Sequence, residues 1–217
     1  MREGDLEDSL VNVLGDAGGK DLVEDAAEFT LDAVLEDGFL KDVPVVGTVA
    51  KLYSMCVGAQ GYVFAKKMRR FMTTLASIPR AERDEFANRL RSDDKLQKDV
   101  SETLITLLDK IDDSQKAPLL ANAFAGFIRE ECDFSTFRRL GAALDRCLVS
   151  DLSVLDQLEK PRELDSYVGD VLVGAGLASL TAIPTIRAAD SRPTYLISEL
   201  GKLFRQVVIK GLPRNDE

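Results

Sequence analysis

Gly15-Asp16-Ala17-Gly18-Gly19-Lys20-Asp21 has the glycine and lysine content of a loop that cradles phosphate. Phosphate chemistry needs a further glycine where Leu14 stands. It also needs a hydroxyl where Asp21 stands, to reach a magnesium ion, and a carboxylate there repels phosphate instead. A turn between two helices is the better account. Gly174-Ala175-Gly176-Leu177-Ala178-Ser179 lacks the third glycine of a dinucleotide loop and follows a helical pattern instead of a strand. Its glycines suit a tight turn into a strand.

Carboxylates pair at Asp93-Asp94 and Asp112-Asp113, and cluster at Glu130-Glu131-Cys132-Asp133. Acid–base work by two carboxylates requires surroundings that push their pKa values apart. These lie at expected helix ends, where Asp serves as a cap. None has the spacing of a calcium loop. The chain has no histidine, which removes every Ser/His/Asp and Cys/His arrangement and every His-bearing zinc site. Cys56, Cys132 and Cys147 are odd in number, form no C-x-x-C and sit in apolar helical patterns. They read as small, reduced core residues. No catalytic residue, cofactor or metal ligand set emerges, and a non-enzymatic protein is expected.

The cations give a different signal. Residues 51–91 carry nine Lys/Arg against three Asp/Glu, and Lys66, Lys67, Arg69 and Arg70 fall within five positions. Arg187, Arg192, Lys202 and Arg205 add charge near the C-terminus. Such clusters suit phosphates of nucleic acid or an anionic membrane surface when they share one face. Aromatic residues are only 6% and Trp is absent, which disfavours base stacking on single strands. The net charge of −9 is uneven: residues 1–44 hold 13 Asp/Glu and 3 Lys/Arg, so the rest of the chain is close to neutral. The acidic start reads as a solvated helical face or as an arm that shields a basic patch.

The elements that hold these residues are mostly helical. Short and long helices are expected over 5–14 and 20–36. Residues 43–64 are apolar, with Lys51 as the one full charge. Gly47, Ser54 and Gly61 recur every seven residues with Gly58 beside them, a small-residue stripe that permits close helix packing. The length suits a membrane span, but the glycines, Gln60 and Lys51 favour a buried central helix. That helix is expected to continue to Ile78. Further helices are predicted from Pro79 to Leu90, from Lys95 to Ile111 behind an Asp93 or Asp94 cap, from Gln115 to Glu130 and from Ser135 to Leu148. Phe124, Phe127 and Phe134 read as core aromatics. After Ser150 the pattern becomes helix, helix, strand, loop, strand, helix, with Ser198 capping the last helix to Ile209.

Leu172-Val173-Gly174-Ala175-Gly176-Leu177, the strand exit Tyr195-Leu196-Ile197-Ser198 and Leu200-Gly201-Lys202-Leu203-Phe204 together resemble the end of a winged-helix domain. The resemblance implies that the first piece closes a recognition helix, the hairpin is the wing and the last piece starts a terminal helix. The helix so implied, Leu164 to Val171, holds two aspartates and no cation, which departs from a base-reading helix. The helical body with the apolar Lys-Asp-Val-Pro-Val-Val-Gly segment at 41–47 also resembles bacterial abortive-infection alpha proteins.

The expected fold class is mainly α: a helical bundle with a C-terminal winged-helix-like module that contains one β-hairpin. The expected organisation is acidic N-terminal helices over 1–44, a bundle over 45–149 and the module over 150–212. The start of the chain has no secretory pattern, so a cytoplasmic location is expected. The leading function is an interaction or effector protein that binds a protein partner or itself, and the resemblance implies phage defence or a prophage setting. A DNA-binding regulator using the C-terminal module is one alternative. A membrane-active protein that inserts residues 43–64 is the other.

Overall fold

A computed structural model gives the fold and describes residues 59–182 and 193–210. Within them the chain is mainly helical, with a small three-stranded antiparallel sheet in the C-terminal region. Helix α1 spans Ala59–Leu75, α2 Arg80–Arg91, α3 Asp94–Lys110, α4 Lys116–Ile128 and α5 Phe134–Arg146. A short α6, Val149–Leu152, runs into a 3₁₀ turn over Ser153–Gln157. Strand β1 is Arg162–Glu163, α7 is Ser166–Gly174, β2 is Ala178–Ala182 and β3 is Thr194–Ile197. Helix α8, Glu199–Phe204, continues as a π-helical segment over Arg205–Ile209.

Local chemistry sets these boundaries. Asp93 caps α3 by accepting from the Leu96 amide at 2.9 Å, and Asp133 caps α5 by accepting from the Thr136 amide at 2.7 Å. The two Thr136 hydrogen bonds hold the Asp133 carboxyl below its usual range. Ser198 accepts from the Gly201 amide at 2.9 Å and starts α8. Gly176 ends the α7 turn with φ +78°, a left-handed conformation that glycine adopts without steric cost.

Helix α4 is central. All but one of its residues from Lys116 to Ile128 are buried, so its sequence is apolar around the whole circumference. α1 and α5 pack on it, and α3 presents Val100, Leu104, Leu107 and Leu108 to the same core. Phe71, Phe86, Phe124, Phe127, Phe134 and Phe137 form a connected aromatic cluster with centroids 5.4–6.5 Å apart. Edge-to-face and offset pairs at these distances add to simple area burial.

The sheet has the order β1-β3-β2. The expected hairpin is β2 with β3, where Ala178 faces Ile197 and Leu180 faces Tyr195. β1 pairs on the other side of β3 through Arg162 and Glu163, and it was not expected. Two exposed residues after a proline carry no alternating pattern to announce a strand.

The expected boundary at 149/150 is not a break in the core. Buried residues form one continuous cluster from Met68 through Phe124 and Leu155 to Tyr195 and Val208. The reason is the last segment. Val207 and Val208 pack back onto α4, and Asn122 Nδ2 donates to the Val208 carbonyl at 2.9 Å. A Cβ at Gly126 would collide with Val207, so this glycine admits the valine.

Residues 1–58 lie outside the described residues, and with them the expected acidic helices and most of the 43–64 segment. Among the described residues no helix is long and apolar enough to cross a membrane.

Candidate functional site

Helix α7 is built to present one face. Asp165 caps it by accepting from the Tyr167 amide at 2.9 Å. Gly169 and Leu172 face inward, and the Tyr195 ring of β3 lies directly against Gly169. The Tyr195 hydroxyl donates to Asp170 Oδ1 at 2.9 Å. Burial, helped by the Asp170 carboxylate, pushes this phenol up to about 12. At the other end, Arg146 Nη1 donates to the Gly174 carbonyl at 2.9 Å, which ties α7 to the end of α5.

What α7 leaves outside is Ser166, Tyr167, Asp170, Val173 and Gly174. Tyr167 is 69% exposed and Val173 37%. At 100° per residue these five fall in an arc of about 120°. The face therefore carries an aromatic ring, an aliphatic side chain and a carboxylate, and the helix has no cation. Leu180 on the adjacent β2 is also exposed.

The expected cationic positions separate into three groups. Lys66 and Arg69 are exposed and Arg70 is half-buried on the solvent side of α1, beside the exposed Val63. None of the three makes an ion pair among the described residues. Lys67 departs from the expectation. It is buried, and its Nζ donates to the carbonyls of Leu108 at 3.0 Å and Asp109 at 2.9 Å. It satisfies the free carbonyls at the C-terminus of α3, where a cation also meets the negative end of the helix dipole. Burial lowers its pKa against the opposing pull of Asp109 and Asp112. A side chain held inside in this way does not contact a nucleic acid or a membrane.

Lys202 and Arg205 are exposed and half-buried respectively, but local acids neutralise them. Lys202 pairs with Glu199 at 2.6 Å, which raises its pKa. Arg205 pairs with Glu159 and lies 3.8 Å from Asp156. Arg187 and Arg192 lie outside the described residues. So do Gly47, Ser54 and Gly58 of the small-residue stripe; Gly61 lies in the first turn of α1.

Two features escaped the sequence reading. One is Tyr167 with Val173, whose exposure depends on how the hairpin docks. The other is Lys116, which is only 1% exposed and bonds to Asp112 Oδ1 at 2.6 Å and to the Asp145 carbonyl at 3.1 Å. The Asp112–Lys116 spacing of four residues was the available signal.

Among the described residues no group of three His, Cys, Asp or Glu is placed to hold a metal ion. Burial pushes the thiols of Cys132 and Cys147 up to about 11, so both are protonated and inert at neutral pH. A cleft of about 450 Å³ between α3 and α5 is lined by Asp99, Glu102, Lys110, Phe134 and Arg138.

No protein-family model, no curated protein and no solved structure matches the chain.

Proposed function

We propose that this protein acts by binding a macromolecular partner through the α7 face and does not act as an enzyme. One observation carries the reading. The helix beside the hairpin, in the place where a winged helix would read bases, exposes Tyr167, Asp170 and Val173 and contains no cation. Phosphate contact requires positive charge. A partly exposed aromatic with an aliphatic neighbour is the composition of a protein-binding patch. The order helix, strand, helix, hairpin and terminal helix, with sheet order β1-β3-β2, supports the winged-helix-like reading of this region. Modules of that shape serve protein recognition as well as DNA recognition. On the resemblance to abortive-infection proteins, the setting is bacterial phage defence.

The test uses the full chain. Tyr167→Ser with Val173→Ser changes two exposed side chains, so Tm should stay within a few degrees of wild type. The same variant should lose the partners that the wild-type chain retains. Equal retention by both would refute the α7 reading.

A second reading is nucleic-acid binding through α1, supported by Lys66, Arg69 and Arg70 having no acidic partner among the described residues. It expects salt-dependent binding of random-sequence duplex DNA that disappears in Lys66→Glu/Arg70→Glu. No binding at low salt would end it.

A further inference from the structure

We infer that the partner of the α7 face is the α1 face of a second copy of this chain. The inference rests on the α7 reading above and adds the identity of the partner. The α1 face carries Val63, 48% exposed, with Lys66, Arg69 and Arg70 around it. Positions 63, 66 and 70 follow the i, i+3, i+7 line of one helical stripe, with 69 alongside. The α7 face carries Tyr167, Asp170 and Val173, with Asp165 at the helix start. One stripe is apolar and cationic without acids, and the other is apolar and acidic without cations. Each runs for about 10 Å along its helix at 1.5 Å per residue.

The chemistry of the contact follows. An exposed guanidinium from α1 lies over the Tyr167 ring in a cation–π arrangement, the second cation meets Asp170 Oδ2, which has no hydrogen-bond partner among the described residues, and Val63 and Val173 exclude water between them. Asp170 uses only Oδ1 for the Tyr195 hydroxyl. A single contact of this kind partners two surfaces of the chain. A nucleic acid on α1 would leave the α7 face unoccupied.

The two faces belong to different parts of the molecule. α1 packs on α4 and α3, whereas α7 packs on β2. The contact is therefore head to tail, each copy in a pair retains one unused face, so the pair carries one of each kind, and association continues into a ring or an open array.

Sedimentation velocity on the full chain over a wide concentration range tests this. The wild-type mean mass should rise with concentration and fall as salt is raised. Lys66→Glu/Arg70→Glu loses the α1 face and should be monomeric alone. Tyr167→Ser/Val173→Ser loses the α7 face and should also be monomeric alone, with apparent affinity weakened about tenfold or more. Mixed in equal amounts, the two variants retain one intact face each and should form a dimer that grows no further. A single Tyr167→Ser replaces the double variant if that one is less stable by circular dichroism. A wild-type chain that stays monomeric at every concentration, or a mixture that stays monomeric, overturns the inference. The α7 reading itself is then decided by partner retention, which does not depend on self-association.

Discussion

Gly169→Ala is the sharpest perturbation of the α7 platform. A Cβ at Gly169 would fall within 2.6 Å of three ring atoms of Tyr195. Ordinary carbon contacts lie at about 3.5–4 Å, so helix and ring must separate by about 1 Å or more. Tyr195 is fully buried and its hydroxyl is fixed on Asp170, so the ring has nowhere to retreat. Overpacking of this kind costs about 1–3 kcal/mol, and a helical Gly→Ala change returns roughly 0.5–1 kcal/mol. Loss of the hydrogen bond to the Asp170 carboxylate adds about 1.5–3 kcal/mol. The expected destabilisation is about 2–4 kcal/mol, or roughly 5–15 °C in Tm for a chain of this size. Gly174 is the internal control. It lies in the same helix with nothing within 4 Å of an added Cβ, so Gly174→Ala should be neutral or stabilising by about 0.5 kcal/mol. Chemical denaturation of both variants and of Gly169→Ala/Tyr195→Leu completes the test. The smaller leucine should recover part of the loss, a coupling of about 1 kcal/mol or more. If the two alanine variants have the same stability, or the double variant shows no coupling, Tyr195 does not press on α7 and the presented face is not fixed as described.

Removing the two partners of the Lys116 ion pair should be unequal. Asp112→Ala leaves a buried ammonium with one carbonyl and should cost about 1–3 kcal/mol by denaturant titration, whereas Lys116→Met leaves an exposed carboxylate and the carbonyl of the half-buried Asp145 and should lie within about 1 kcal/mol of wild type. Stability should fall on the alkaline side. Tyr195 has a folded value of about 12 against 10 unfolded, so its contribution is complete below pH 10 and is lost as pH rises to 12. Cys132 and Cys147, at about 11 against 9, act in the same direction from pH 9 upward, and Tm measured against pH should decline there. Alkylation mapped by mass spectrometry at pH 8 should spare Cys132 and Cys147 in the native protein and reach both in denaturant.

The helical body was legible because its signals are local. Asp93 and Ser198 act as the predicted caps, the α3 stripe repeats at three and four residues, and Phe124 and Phe127 lie in the core as expected. The hairpin was legible from its glycine turn and its β-branched and aromatic run. β1 was not, because a two-residue edge strand is specified by the backbone of β3 and not by its own side chains. Among the cations, sequence gave clustering but not direction. Lys66, Lys67, Arg69 and Arg70 look equivalent in a string, and helical rotation alone turns Lys67 inward to α3 while the other three face outward.

Composition and local pattern thus determined the class of protein: without histidine and with apolar residues recurring at helical spacing, the chain encodes packed helices and no histidine-based site. Tertiary structure decided which residues meet a partner. Whether Tyr167 is core or surface depends on where Tyr195 docks, 28 positions away in sequence, and a local pattern does not encode contacts formed over that separation.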